Sequence, residues 1–106
     1  MLLDTILANL IEVWHSEDYT QGYVKHSNGL LEQWGARVPL SDNYPTRINL
    51  FKSFLNISYS IIGTWCNDKE ASTLQLSSDY KDSFTVYTQK KQTEPRFNWY
   101  AVGFWK

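Results

Sequence analysis

The sequence predicts a mainly β fold: an antiparallel β-sandwich, preceded by a short N-terminal helix or stalk segment, that associates with copies of itself. Three observations carry this expectation. Gly22 to Gly35 writes a complete β-hairpin, with β-forming runs at Tyr23–His26 and Leu30–Trp34 around Ser27-Asn28-Gly29. Short β-rich runs then recur at regular intervals between turn residues, the spacing of a sandwich rather than of a parallel α/β sheet. The last run, Asn98–Trp105, is apolar on both of its faces, whereas a half-buried antiparallel strand alternates.

The length of 106 residues suits one domain, and a chain this short buries only roughly 60 to 65% of its unfolded surface. Five Trp, seven Tyr and five Phe make it 16% aromatic, more rings than a core of that size conceals. Some of them are expected at a subunit interface or a ligand surface. The net charge of −1 is scattered without a run, and Lys90-Lys91 is the only basic pair. That leaves no electrostatic footprint for nucleic acid or an anionic membrane.

The elements follow in order. In Met1–Trp14 the residues Leu3, Leu7, Leu10 and Trp14 make one apolar seam if helical, widened by Ile6, Ile11 and Val13. This segment is read as an amphipathic helix on the sheet, as the end of a coiled-coil stalk, or, from Leu10 to His15, as a strand; residues 1–16 are set apart from a sandwich of residues 17–106. Asp4, Glu12 and the lack of a basic start argue against a secretory signal, and no run is long enough to span a bilayer. After the hairpin, Val38-Pro39 to Tyr44-Pro45 reads as a polar loop. The further strands are expected at Thr46–Phe51, Asn56–Trp65, Ser72–Leu76, Phe84–Gln89 and Asn98–Trp105, with loops at Asn67–Glu70, Ser77–Asp82 and Gln89–Arg96. In the last strand Trp99, Ala101, Gly103 and Trp105 point one way and Tyr100, Val102 and Phe104 the other, so the outer set is expected to pack on a neighbouring subunit.

Signals for chemistry are few. Cys66 is the sole cysteine, which excludes an intrachain disulfide and a paired-cysteine zinc or redox site. His15 and His26 stand alone at no ligand spacing, so no metal and no cofactor is expected within one chain. Glu17-Asp18 and Asp79 with Asp82 are the closest carboxylate pairs, but a glycosidase needs two carboxyls in a cleft with one pKa raised, and both pairs lie in turn-like segments. No nucleophile elbow, phosphate loop or His-Glu-x-x-His occurs, and Asn56-Ile57-Ser58 is read as a chance glycosylation pattern. The chain is not expected to be an enzyme.

Gly22-Tyr23-Val24-Lys25, Asn28-Gly29-Leu30-Leu31 and Gln33-Trp34-Gly35, closing with Phe97-Asn98-Trp99-Tyr100-Ala101-Val102-Gly103-Phe104, resemble the C-terminal domain of bacteriophage tail-fiber proteins. There such a hairpin opens the domain and such a strand ends it. The resemblance runs from Gly22 to the C-terminus, and Leu50–Ile61 is similar to the family's central apolar strand. It implies a homotrimeric knob at the tip of a virion fiber that meets a bacterial surface receptor, often a glycan, and is made in the host cytoplasm without a signal peptide. Leu3, Leu7, Leu10, Trp14, Tyr100, Val102 and Phe104 are then the candidates for the trimer interface. His26 and Glu32 depart from the family, which commonly has apolar residues there, and this puts the packing of the hairpin's inner face in question. Met1 stands directly at the expected stalk, as in a fragment or an unusually short protein.

Recognition of a sugar calls for loop residues that combine an aromatic face with amide and carboxylate groups. Trp65, Asn67, Asp68 and Lys69 form one such set and Asp79, Tyr80 and Lys81 another. Against this, Trp65 reads more readily as the last core residue of its strand and Tyr80 as a turn residue, while Trp34 and Trp99 are read as core or interface. Three functions are compatible with these residues: a receptor-binding fiber tip, a structural module that caps and trimerises the fiber, and a monomeric carbohydrate-binding domain.

Overall fold

The three residues Ser27-Asn28-Gly29 close the hairpin, as expected, in the computed structural model, which describes residues 10–40, 45–65, 74–88 and 96–106. The Gly29 amide donates to the His26 carbonyl at 3.1 Å, and within the turn only Gly29 takes a positive φ, 102°. Asn28 instead contributes its side chain, whose Oδ1 accepts the Leu30 amide at 3.0 Å. Each end of the motif lies against an indole. A Cβ on Gly22 would come within 2.6 Å of the Trp34 ring, and one on Gly35 within 2.3 Å of Trp99 Nε1. Glycine is required at both because the rings occupy the space a side chain would need.

Eight strands are described: β1 (Leu10–His15), β2 (Gln21–His26), β3 (Leu30–Pro39), β4 (Thr46–Asn49), β5 (Ser60–Trp65), β6 (Leu74–Ser77), β7 (Ser83–Thr88) and β8 (Arg96–Phe104). They form a five-stranded sheet in the order β1-β2-β3-β8-β5 and a three-stranded sheet in the order β4-β7-β6. Every pairing is antiparallel, as expected of a sandwich. Leu31, Phe97, Trp99 and Ala101 of the large sheet pack with Ile48, Phe84 and Val86 of the small one in a single core. Phe84 meets Trp99 edge-on across the layers, with ring centroids 5.3 Å apart.

The N-terminal segment is corrected from Leu10 onward: of the three alternatives, the strand is the one observed, and Leu10 and Trp14 lie in β1 rather than on a helical seam. β1 is part of the domain. Trp14 contacts Phe51 at 5.3 Å and Tyr23 at 6.2 Å, and Lys52 Nζ reaches Glu12 at 3.2 Å. Leu3 and Leu7 lie outside the described residues.

The segment between β4 and β5 is a second correction. The runs expected as strands to Phe51 and from Asn56 are irregular, with β4 ending at Asn49 and β5 starting at Ser60. Their backbone groups are taken by partners other than a ladder. The fully buried Gln33 of β3 accepts the Phe51 and Lys52 amides on Oε1 at 2.8 and 3.0 Å and donates from Nε2 to the Lys52 carbonyl at 2.7 Å. The Leu50, Phe54 and Leu55 amides donate to the carbonyls of Asp82, Lys81 and Phe104. Buried backbone groups must be paired, and here one side chain substitutes for a neighbouring strand.

The C-terminus is clasped to the hairpin. The Trp105 amide donates to the Gly29 carbonyl and its indole Nε1 to the His26 carbonyl, both at 2.8 Å, while Lys25 Nζ lies 4.4 Å from the Trp105 ring centre. Trp105 has left the strand, so the inward face of β8 is Phe97, Trp99, Ala101 and Gly103.

Candidate functional surfaces

Strand alternation places Val13 of β1, Val24 of β2, Leu30 and Trp34 of β3, Ile62 of β5, and Tyr100, Val102 and Phe104 of β8 on the outer face of the large sheet. Among the described residues nothing covers them fully. Ile62 is 64% exposed and Phe104 57%. Three of the interface candidates, Tyr100, Val102 and Phe104, therefore share one open apolar face, whereas Trp14 turns inward toward Tyr23 and Phe51. Val13, Val24, Leu30 and Ile62 were not singled out for this face, and Trp34 was read only as core or interface; their position depends on strand order, which the sequence does not show.

A polar network crosses this apolar face. The Tyr100 hydroxyl donates to Glu32 Oε1 at 2.6 Å, and His26 Nε2 lies 2.8 Å from Glu32 Oε2. Glu32 belongs to the outer face, so the question raised for the hairpin's inner packing does not arise: the two departures from the family pattern are partners. The Tyr100 hydrogen bond, and after it that of His26, holds the Glu32 carboxyl below the ordinary carboxylate range. Burial first and then Glu32 push the Tyr100 hydroxyl up to about 12.

A lowered folded-state pKa means that the ionised form stabilises the fold. The contribution is complete above the ordinary value of 4.5 and disappears as the pH falls through the lower folded value. Thermal melting from pH 7 to pH 3 should show the wild type losing its advantage over Glu32→Gln on the acid side. A constant difference between the two across that range would contradict this assignment.

The opposite side of the molecule is the outer face of the small sheet. The register sets Arg47 of β4, Thr85 of β7 and Ser77 of β6 in one row, with Gln75 and Tyr87 in the next. Asp79 closes over that row: Thr85 Oγ1 donates to Oδ2 at 3.2 Å and Ser77 Oγ to Oδ1. The Arg47 guanidinium lies 4.3 Å from the centre of the Tyr80 ring. The Tyr59 hydroxyl shares its proton between the carbonyls of Tyr80, at 2.6 Å, and Ser83, at 2.8 Å, anchoring this loop to the core. Burial first, then the charges of Asp79 and Asp82, push that hydroxyl up to about 12, so it stays a donor. Arg47 and Asn49 also border a groove of about 250 Å³ where the sheet edges meet, with Phe51 and Trp99 in its wall.

The sugar-site candidates are thus separated. Asp79 and Tyr80 join Arg47, Thr85 and Ser77, which sequence reasoning did not select, and Lys81 is exposed beside them. Asn67, Asp68 and Lys69 lie outside the described residues. Trp65 pairs with Phe97 and packs against the core, and its indole Nε1 is buried without a hydrogen-bond partner.

The carboxylate and histidine candidates are turn and sheet residues. Asp18 accepts the Thr20 hydroxyl and amide and the Ser16 hydroxyl. Those bonds, the Thr20 hydroxyl first, hold its carboxyl low, the reverse of what a general acid needs. His15 stacks on Tyr19 with centroids 4.0 Å apart. Among the described residues no three His, Cys, Asp or Glu converge as metal ligands.

A family model for the C-terminal region of gp53-like tail fiber proteins matches residues 25–104. Among solved structures, an N-truncated R2-type pyocin tail fiber aligns with a TM-score of 0.63 and 16% identity over 94% of this chain and 40% of its own. The P. aeruginosa R1 pyocin fiber aligns with a TM-score of 0.60 and 14% identity over 95% of this chain and 30% of its own. At these identities the likeness is one of fold, and the chain spans 40% or less of those solved fiber fragments. No curated protein sequence matches significantly. With the family match running from β2 through β8, across the hairpin and the final strand together, the chain belongs to the gp53-like tail fiber protein C-terminal family.

Proposed function

We propose that this domain forms the distal tip of a phage tail fiber, a virion component in which three copies associate through the outer face of the large sheet. The tip joins the remainder of the fiber and meets a bacterial surface receptor, a glycan, without catalysing a reaction. The observation that carries the reading is the apolar face around Tyr100, Val102 and Phe104, which no described residue covers fully and on which Ile62 is 64% exposed. Exposed apolar side chains gathered on one sheet face mark an interface, and a stable one removes roughly 800 Å² per partner from water. Family membership supports the fiber setting, and the number of copies rests on the tail-fiber resemblance.

Multi-angle light scattering of the purified chain should give a mass of three chains, and the fragment should compete with intact phage for adsorption to host cells. A single-chain mass at micromolar concentration would sink the trimer. A trimer that never reduces adsorption or stains host cells would instead assign this domain to fiber assembly and capping.

A further inference from the structure

We propose that the outer face of the small sheet is the receptor site and that it takes a carboxylate-bearing sugar, of the uronic or sialic acid class, gripped by Arg47 beside the Tyr80 ring. The proposal rests on the fiber-tip reading and names the ligand chemistry that the reading leaves open.

The guanidinium of Arg47 is held in place without being neutralised. Its contact is the Tyr80 ring at 4.3 Å, and among the described residues it has no hydrogen-bond or ion-pair partner. A planar group fixed by stacking has already lost much of its rotamer freedom, while its N–H fork remains free to meet a carboxylate with two parallel hydrogen bonds. Asp79 does not quench this charge. Its carboxylate is occupied by the hydroxyls of Ser77 and Thr85, and no ion pair joins it to Arg47. The surroundings suit a sugar ring. Tyr80 is 49% exposed, Tyr87 presents a second ring on the same face, and Gln75, Thr85 and the remaining lone pairs of Asp79 offer partners for hydroxyls.

The support beneath the site is buried and hydrogen-bonded. Arg47 and Thr85 are paired across two strands whose inward neighbours Ile48, Phe84 and Val86 are buried, and Tyr59 pins the Tyr80 carbonyl at 2.6 Å. The face also points away from the apolar side of the large sheet, so association there leaves it free.

The test uses the assembled full chain and isothermal titration with oligogalacturonate, oligoglucuronate and sialyllactose, each against a neutral oligosaccharide of the same length, and with inorganic phosphate. At least one acidic sugar should bind tenfold or more tightly than its neutral counterpart, and less tightly as salt rises. Arg47→Lys, which keeps the charge but loses the fork, should weaken that binding at least tenfold, as should Tyr80→Ala, whereas Tyr80→Phe should retain it. Circular dichroism and mass should be unchanged in all three variants. Equal binding of acidic and neutral sugars, no binding of any, phosphate binding more tightly than every sugar, or an Arg47→Lys variant that binds like wild type would each overturn the proposal. The two readings fail separately. A chain that does not block phage adsorption defeats the receptor-binding tip, whereas one that blocks it equally well with Arg47 and with Lys at that position defeats only this site.

Discussion

Gln33→Leu is expected to cost about 4 kcal/mol of folding stability, although it places an apolar side chain at a buried position. Leu matches the size of the amide and suits a fully buried position, so a view based on hydrophobicity alone would expect little change. The amide, however, satisfies three backbone groups of the segment between β4 and β5: the amides of Phe51 and Lys52 and the carbonyl of Lys52. Each group left buried without a partner costs about 1–3 kcal/mol. Against a typical total of about 5–15 kcal/mol, the variant should unfold at a much lower urea concentration. Because association contributes to apparent stability, the two proteins are compared at one chain concentration. Gln33→Glu should also be strongly destabilising, since it removes the donor to the Lys52 carbonyl and buries a charge. A loss below about 1 kcal/mol for Gln33→Leu would mean that the segment finds other partners and that Gln33 does not hold it.

Phe104→Asp, and likewise Ile62→Asp, should convert the assembly into folded single chains. Both residues are more than half exposed within one chain, so a carboxylate costs the monomer little. In the proposed trimer each would be buried against an apolar surface, and the three copies would bring like charges together. Association should weaken at least 100-fold, about 2.7 kcal/mol, read as a single-chain mass by light scattering with the β-sheet circular dichroism spectrum retained. Gln75→Asp, on the outer face of the small sheet, should leave the mass unchanged. Trimers of normal stability in both Phe104→Asp and Ile62→Asp would place the interface elsewhere on the molecule.

The parts of the fold that were legible are those whose cause lies within a few residues. Asn28 and Gly29 specify the connection because one supplies a side-chain acceptor and the other a positive φ, and the alternation of β8 separates Trp99 and Ala101 from Tyr100, Val102 and Phe104. The segment from Phe51 to Tyr59 was misleading for the converse reason. Its residues are β-formers, but the group that organises it is the side chain of Gln33, and its own rings turn inward, with Phe54 stacked on Tyr59 at 4.4 Å. The seam through Leu10 and Trp14 fits a helix and a strand equally well over so few residues. Contact with Phe51 and pairing with β2 decide for the strand.

The candidate surfaces divide in the same way. Tyr80 and Asp79 could be chosen from composition alone, but Arg47 and Thr85 could not, because they reach the same place only through the register of β4 on β7. Glu32 looked like a defect in an apolar pattern until Tyr100, 68 residues further on, was found to donate to it.

By itself, then, the sequence determined the β class, the hairpin with its Asn28-Gly29 connection, the two-sided character of the last strand and the kinship with tail-fiber C-terminal domains. The first three follow from backbone preferences and a side-chain period that act locally, and the kinship from motifs at the two ends of the domain. Tertiary structure alone decided the strand order, the irregular path from Leu50 to Tyr59, the inward turn of Trp14 and the meeting of Arg47 with Tyr80. Each of these depends on which distant groups satisfy buried backbone atoms or cover exposed rings, and such pairings are settled only when the two sheets pack.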